Sequence, residues 1–572
     1  MSDYNNNNYS RRRFLTQSSL GLLAFSGMPA LLNAMEGMQA MPKMPPRKAS
    51  PNFKPDVEIE LLCQSAAVPI LVGRQTKVLQ YRAKLLQGPK DAVTDIPGSY
   101  LGPIIRLQKG QKVRIHLHNG LSEPTVTHWH GLHVPAEMDG HPLYAIDPGQ
   151  ILVYEFEVLN RAGMNIYHPH PHETTAKQVY HGLAGALLVN DEEEAALELP
   201  SGEYEIPVVI QDRLFDTENQ LIYARGMHDR MTGFYGDRIL VNGHADFQMD
   251  VDSRAYRLRF MNGSTARIYK LGWDDGTPIT VIGVDGGLLE KPETKPYIML
   301  APGERLDVWA DFSGRGEGSQ LVMRSLSFSG VLPKMGMMMH TGSLPVGSDY
   351  PIFTARVTRK VSDSPKLPAT LSKINRYKTT DTANPNKPVP IAISEGHMAM
   401  LLNGRPYAYN DVQPSERIPV NSIQLMEIFH AHGGGHGNQA ANQEQGAEHQ
   451  GGGMMGMGGM RHGGMGGMRH GGMGGGMGMG GMGMMMTMAH PIHFHGQSFQ
   501  IVSRSIAMGT EEDYATVREG FIESGLKDTV LVMPGETVRL IKPFQDFKGL
   551  FMYHCHNLEH EDMGMMRDFL VE

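Results

Sequence analysis

Three times along this chain an alternating apolar–polar run is followed, some tens of residues later, by a Pro-Gly turn and a further run, and this recurrence limits the possible folds most. Val113-Arg114-Ile115-His116-Leu117-His118-Asn119 alternates as a half-buried strand should. Tyr256-Arg257-Leu258-Arg259-Phe260-Met261-Asn262 repeats the pattern, and Ile423-Gln424-Leu425-Met426-Glu427-Ile428-Phe429 does so more loosely. The turns are Asp147-Pro148-Gly149, Ala301-Pro302-Gly303 and Met533-Pro534-Gly535, each leading into another strand-like run. Helical periodicity is scarce from Asp56 onward. The pattern predicts an all-β chain of three similar domains, 56–195, 203–345 and 388–572, with a Pro-, Ser-, Thr- and Lys-rich linker at 346–387.

The third copy is longer than the others. Asn119 and Pro148 are 29 residues apart and Asn262 and Pro302 are 40 apart, whereas His430 and Pro534 are 104 apart. The excess predicts an insert at 431–486, where Gly, Met, His and Gln replace ordinary composition. The net charge of -8 gives no reason to expect nucleic acid as a partner.

At the N-terminus, Arg11-Arg12-Arg13-Phe14-Leu15 precedes an apolar stretch from Leu20 to Leu32, too short for a mature membrane span. Paired arginines before such a stretch resemble a bacterial twin-arginine signal, expected over 1–40, with Ala34 and Ala40 both possible cleavage ends. That reading expects export to the periplasm by the twin-arginine machinery, with no stable membrane insertion after processing. Met35 to Pro55 read as unstructured.

The chemistry is concentrated near the C-terminus, in Tyr553-His554-Cys555-His556-Asn557-Leu558-Glu559-His560 and Met565. On a strand, Cys555 points to one face while His554 and His556 point to the other. Thiolate, imidazole and thioether from Cys555, His560 and Met565 are the soft donor set of a blue-copper site. His554 and His556 would serve a second metal cluster on the opposite face, one residue away. Cys63, the other cysteine, has no assigned role. Three more histidine clusters occur: His128-Trp129-His130, His168-Pro169-His170, and His490-Pro491-Ile492-His493-Phe494-His495. They fall only in the first and third copies, so the middle copy reads as a spacer.

With these four motifs in this order, Val57 to Glu572 resembles the multicopper oxidases, specifically the three-domain bacterial kind that includes laccases and periplasmic cuprous oxidases. Gly182-Leu183-Ala184-Gly185 and Arg257 to Ser264 add to the resemblance. It implies three cupredoxin-like Greek-key β-domains and four coppers. It implies a type 1 copper on His490, Cys555, His560 and Met565, and a type 2 copper on His128 and His493. The type 3 pair would take His130, His168, His170, His495, His554 and His556. His133, His141, His172 and His181 are left without metal. The implied reaction passes single electrons from a reductant to O₂, which is taken to water. Asp139 and Glu561 match acids with proton-delivery roles in the cuprous oxidases, and read equally as anchors of histidine N–H groups.

Thioether prefers Cu(I), and the glycines of the insert keep its methionines from packing a core. The resemblance therefore points to Met484, Met485, Met486 and Met488 as a Cu(I) substrate site ahead of His490. Cuprous oxidases carry an aspartate where this chain has Met486, and Glu427 is a candidate for the missing charge. A solvated linker is the plainer reading of the insert. Met335 to His340 is a second candidate foothold for Cu(I), or a turn. The expected function is a monomeric cuprous oxidase of copper tolerance that also oxidises phenols. A laccase with an organic substrate and a copper-sequestering protein are the alternatives.

Overall fold

The alternation is realised directly in the first third of the chain. In the strand Lys112–Asn119, Val113, Ile115 and Leu117 are fully buried and their neighbours partly exposed. This strand pairs in parallel with Val57–Val68 and antiparallel with Ile151–Glu157. The three Pro-Gly turns are one device used three times. Gly149, Gly303 and Gly535 have φ of 80°, 80° and 71°. The amide of the next residue donates to the carbonyl three residues back, Gln150 to Asp147 at 3.1 Å, Glu304 to Ala301 at 3.0 Å and Glu536 to Met533 at 3.0 Å. Proline presets the first central residue of such a turn and glycine tolerates the left-handed second.

This computed structural model describes residues 43–224, 226–333, 344–396, 399–431 and 487–572. Among them, sheets of four and five strands span 57–190, sheets of seven and five strands span 205–359, and sheets of six and five strands span 389–571. Each pair shares one apolar core. Ile59 and Val113 meet Ile105 and Leu187 in the first. Val208 and Leu258 meet Leu271 and Phe353 in the second, and Met426 and Leu540 meet Ile492 and Phe569 in the third. The architecture is three β-sandwiches in sequence. No described helix is long and apolar enough to cross a membrane.

Three expectations change. The strand Tyr350–Arg359 lies inside the span read as linker; it pairs with Gln248–Asp252 and Gln320–Ser325, so the middle sandwich runs past 345. Its Pro, Thr and Arg residues disguise it, yet Ile352, Phe353, Ala355 and Val357 are buried. Residues 43–55, read as unstructured, are tied to the first sandwich. Met44 N–H donates to Leu143 O at 3.1 Å, Val153 N–H to Arg47 O at 3.1 Å, and Ser50 N–H to the Glu155 carboxylate at 3.0 Å. An extended segment without internal pattern takes its hydrogen bonds from a neighbour, which local composition does not reveal. The strand Ala255–Asn262 is buried on both faces. Arg257 and Arg259 are held there by Asp307 at 2.5 Å and Glu205 at 2.6 Å, and both reach Glu194 of the first sandwich at 2.7 and 3.0 Å. The expected signal segment, the Met335 cluster and nearly all of the insert lie outside the described residues.

Candidate metal centre

The strand Gly549–Cys555 pairs with His490–Phe494, placing Cys555 opposite Ile492 and His554 opposite His493. On one side of it the Cys555 sulfur lies 3.4 Å from His490 Nδ1 and 3.6 Å from His560 Nδ1. His560 is carried by the short helix Leu558–Asp562. Met565 follows, fully buried; its amide donates to His560 O at 2.9 Å and its carbonyl accepts from the Cys555 amide at 3.0 Å. The outer nitrogens of the two imidazoles meet different partners. His490 Nε2 is 2.8 Å from Glu395 Oε1, which also accepts the Met488 amide at 2.8 Å. His560 Nε2 donates to Met231 O of the middle sandwich at 3.1 Å. Burial pushes His490 down to about 3 and His560 well below its ordinary range. Burial also pushes the Cys555 thiol up, so ionising it in place needs a positive partner.

On the other side eight histidines converge in overlapping groups, His128 with His130 and His493, His130 with His168 and His556, and His170 with His495 and His554. The Nε2 atoms of His128 and His493 face each other at 3.4 Å, those of His170 and His554 at 3.3 Å, and those of His495 and His554 at 3.2 Å. The far nitrogens are tied back. His128 Nδ1 donates to Asp139 O at 2.6 Å, His493 Nδ1 to Asp528 O at 2.9 Å, His168 Nδ1 to Pro169 O at 2.9 Å and His495 Nδ1 to Asp139 Oδ2 at 2.6 Å. Each such bond fixes the proton on Nδ1 and leaves the Nε2 lone pair facing the nest.

Burial drives these imidazoles neutral, His168 and His493 to about 4 and His170 to about 3. His130 Nδ1, His168 Nε2 and both ring nitrogens of His556 are buried without a hydrogen-bond partner. Neutral lone pairs converging in a dry interior require a cation. Imidazole nests beside a thiolate, imidazole and thioether set fit copper. Gly303 belongs to the same construction, since a Cβ there would approach the His556 ring to 2.8 Å.

The two candidate acids are both buried but not alike. Burial, with no cation in contact, raises Asp139 well above the usual carboxylate range. Glu561 is opposed by burial too, yet His170 and His554 beside it hold it below that range. Its oxygens lie 3.6 Å from His170 Nε2 and 3.0 Å from His554 Nδ1. Asp139 is the better placed to hold a proton beside the nest.

The structure thus brings His490, Cys555, His560 and Met565 to one place and the eight remaining histidines to another. Met488 is buried beside Glu395, while Met484, Met485 and Met486 lie outside the described residues. His133, His141, His172 and His181 stand apart from both groups, against Asp546, Asp568, Glu173 and Lys177 O respectively. Glu427 is not the carboxylate beside the thiolate site. It pairs with Arg539 at 2.6 Å, and Glu395 occupies that place.

The middle sandwich is more than a spacer. Besides Met231 O it supplies Arg305, which grips Asp528 next to His130. Sequence reading missed Glu395, Arg305 and Asp528. A hint existed for two of them: Glu395 ends the apolar run Val389 to Ser394, and Lys527-Asp528 opens another.

Three β-sandwiches, with a thiolate site in the third and a histidine nest where the first and third meet, define a copper oxidoreductase. Comparison with known proteins agrees. Two family models, each described as multicopper oxidase, match residues 77–194 and 479–572, the two blocks that contain every proposed ligand. The chain is 29% identical to the multicopper oxidase mco of Staphylococcus haemolyticus, over 83% of this chain and 83% of that protein. It is 29% identical to a laccase of Bacillus stratosphericus, covering 82% and 89%. The crystal structure of the McoA multicopper oxidase of Aquifex aeolicus superposes with a TM-score of 0.68 at 28% identity, covering 91% of this chain and 97% of that one. The chain belongs to the multicopper oxidase family: its domains are cupredoxin-like, and it is an oxidoreductase that uses O₂.

Proposed function

We propose that this oxidase holds four coppers, takes electrons from Cu(I) and also from phenols, and serves copper tolerance. The type 1 copper is assigned to His490, Cys555, His560 and Met565, the type 2 copper to His128 and His493, and the type 3 pair to the other six nest histidines. The observation that carries this reading is the run 554–556 at the end of one strand, in which Cys555 belongs to the thiolate site while its neighbours His554 and His556 belong to the nest. Bound copper supplies the one-electron redox chemistry. The protein's part begins at His490, whose outer nitrogen meets the Glu395 carboxylate. That carboxylate attracts a cationic donor, and the backbone on either side of Cys555 links the thiolate to the nest. Asp139, hydrogen-bonded to His495 and carrying its proton, is assigned to proton delivery. Glu561, held ionised beside His170 and His554, is the second acid assigned to the proton path.

The substrate site is assigned to Met488 and Glu395, fed by Met484, Met485 and Met486 of the insert. Export to the periplasm through the twin-arginine machinery and a monomeric state complete the reading; fractionation of the host cell and sedimentation of the copper-loaded protein test these two.

Deleting 432–484 and closing the gap with a short Gly-Ser linker separates cuprous oxidase from laccase. The Cu(I) concentration for half-maximal O₂ uptake is expected to rise about tenfold, with phenols oxidised as fast or faster. Unchanged Cu(I) oxidation with slower phenol oxidation would make the protein a laccase.

A further inference from the structure

The middle sandwich contributes no ligand, yet Arg305 ends beside the histidine nest with 1% of its surface exposed. It follows the Pro302-Gly303 turn by two residues, so the turn that recurs in all three sandwiches aims it inward. A guanidinium has five N–H donors. Here all five are used. Nε donates to Met164 O at 3.0 Å, and Nη1 to Gly303 O at 2.9 Å and Asp528 Oδ1 at 2.7 Å. Nη2 donates to Asp285 O at 3.1 Å and Asp528 Oδ2 at 2.5 Å. Asp528 is thereby gripped on both oxygens, a geometry that fixes a carboxylate in plane and direction.

His130 Nε2 lies 3.0 Å from Asp528 Oδ1, 3.0 Å from Arg305 Nη1 and 3.3 Å from Thr529 Oγ1. Arg305 Nη1 is also within hydrogen-bond reach of that nitrogen, but its two N–H groups have better acceptors in Gly303 O at 2.9 Å and the Asp528 carboxylate at 2.7 Å, and the Thr529 hydroxyl donates to Asp528 Oδ1 at 2.9 Å. The nearest acceptor for His130 Nε2 is the ionised Asp528 Oδ1 at 3.0 Å. The ring therefore carries its proton there, and Nε2–H donates a hydrogen bond to Asp528 Oδ1. His130 Nδ1, buried and without a hydrogen-bond partner, is left as the lone pair facing His168 and His556. His128, His168, His493 and His495 are the reverse, with the proton on Nδ1 and Nε2 facing the nest. The backbone of Asp528 sets one of those as well, since its carbonyl accepts His493 Nδ1–H at 2.9 Å. The two rings so fixed stack at 3.7 Å between centroids.

The geometry points to Arg305, from the sandwich without ligands, as a positioning residue that acts through Asp528 to fix the tautomer of His130 and so prepare the nest for metal. One arginine thus joins a ligand of the first sandwich to a ligand of the third. Asp285 reinforces the clamp: it lies 3.6 Å from Arg305 and 3.0 Å from Lys527, the residue before Asp528. The inference holds whichever substrate the oxidase uses.

The test compares the full-length wild-type protein with Arg305→Met, Arg305→Lys and the isosteric Asp528→Asn. In the metal-free chain, two-bond ¹⁵N–¹H spectra of labelled histidine report which ring nitrogen carries the proton, with His130→Gln identifying the signal. Wild type is expected to show the proton on Nε2 of His130. Arg305→Met and Asp528→Asn are expected to show it moved to Nδ1 or divided between the two. After copper loading, the nest is expected to hold copper roughly 10- to 100-fold less tightly in these variants. The visible absorption of the Cys555 site should stay at the wild-type level. Arg305→Lys keeps the charge but loses the two-pronged grip, and should restore only part of the affinity. A merely structural role would lower the melting temperature and weaken both sites alike. An unchanged His130 tautomer in Asp528→Asn, or nest affinity within twofold of wild type in Arg305→Lys and Asp528→Asn, overturns the proposal even if Arg305→Met fails to fold.

Discussion

The thiolate site has two histidine edges built from the same donors and finished differently. His490 and His560 both turn Nδ1 to the Cys555 sulfur, at 3.4 and 3.6 Å, and both are fully buried. Beyond the rings the symmetry ends. His560 Nε2 meets a neutral carbonyl of the middle sandwich, whereas His490 Nε2 meets the carboxylate of Glu395. A carbonyl closes an edge by satisfying its N–H. A carboxylate satisfies the N–H too, and places an ionisable group at that edge. Two imidazoles alike at the sulfur thus differ at their outer nitrogens, and under the proposed function the His490 edge is the one assigned to a cationic donor.

Removing the sulfur that both edges share has the largest expected effect. Cys555→Ser changes little volume in a packed core, so the variant should fold with its thermal transition near that of wild type. It should lose the intense visible absorption and roughly a thousandfold or more of O₂ reduction, about 4 kcal/mol in the barrier. Retained colour or turnover would mean that neither edge leads to the nest.

Glu395→Gln acts on one edge only. Cu(I) oxidation is expected to fall about tenfold, equivalent to about 1.4 kcal/mol, while oxidation of a neutral phenol stays within twofold. Equal losses with both donors would assign Glu395 to holding the ring of His490 and erase the distinction between the edges.

The smallest effect lies away from both edges, where the first and middle sandwiches meet. Burial opposes the charge of Glu205, but Arg259, Arg106 and Arg257 hold its pKa down at about 2, from an ordinary 4.5. A carboxylate depressed on folding stabilises fully above its unfolded pKa and loses that contribution as pH falls through the folded one. Glu205→Gln should therefore cost up to about 3 kcal/mol at neutral pH. The deficit relative to wild type should shrink between pH 4.5 and 2, by urea melts across that range. The spectra of the Cys555 site at pH 7 should not change. A deficit independent of pH would show that Glu205 contributes by packing alone.

Much of this arrangement is written locally in the chain. Every His-x-His pair, the Cys555 run and the Pro-Gly turns lie within a few residues, so strand alternation alone decides which face each side chain takes. The partners that tune the sites are not local. Arg305 meets Asp528 across 223 residues and Glu395 meets His490 across 95, and no spacing rule links them. Glu427 is a sequence candidate for the charge missing at Met486, but its carboxylate pairs with Arg539. The strand Tyr350–Arg359 was obscured by composition, since its proline, threonines and arginines are typical of linkers. Burial of its alternate residues appears only once the neighbouring strand is in place.

In the proposed reaction, electrons from a cationic donor at the His490 edge reach the nest and leave together on O₂. The stoichiometry of the copper-loaded protein with Cu(I) tests it most directly, by recording O₂ consumption, Cu(II) formation and peroxide in one sealed chamber. Four Cu(I) oxidised for each O₂ consumed, with no peroxide released, is the predicted result, because reduction of O₂ to water takes four electrons. Two Cu(I) per O₂ with peroxide in the medium, or no O₂ uptake above that of Cu(I) alone, would contradict it.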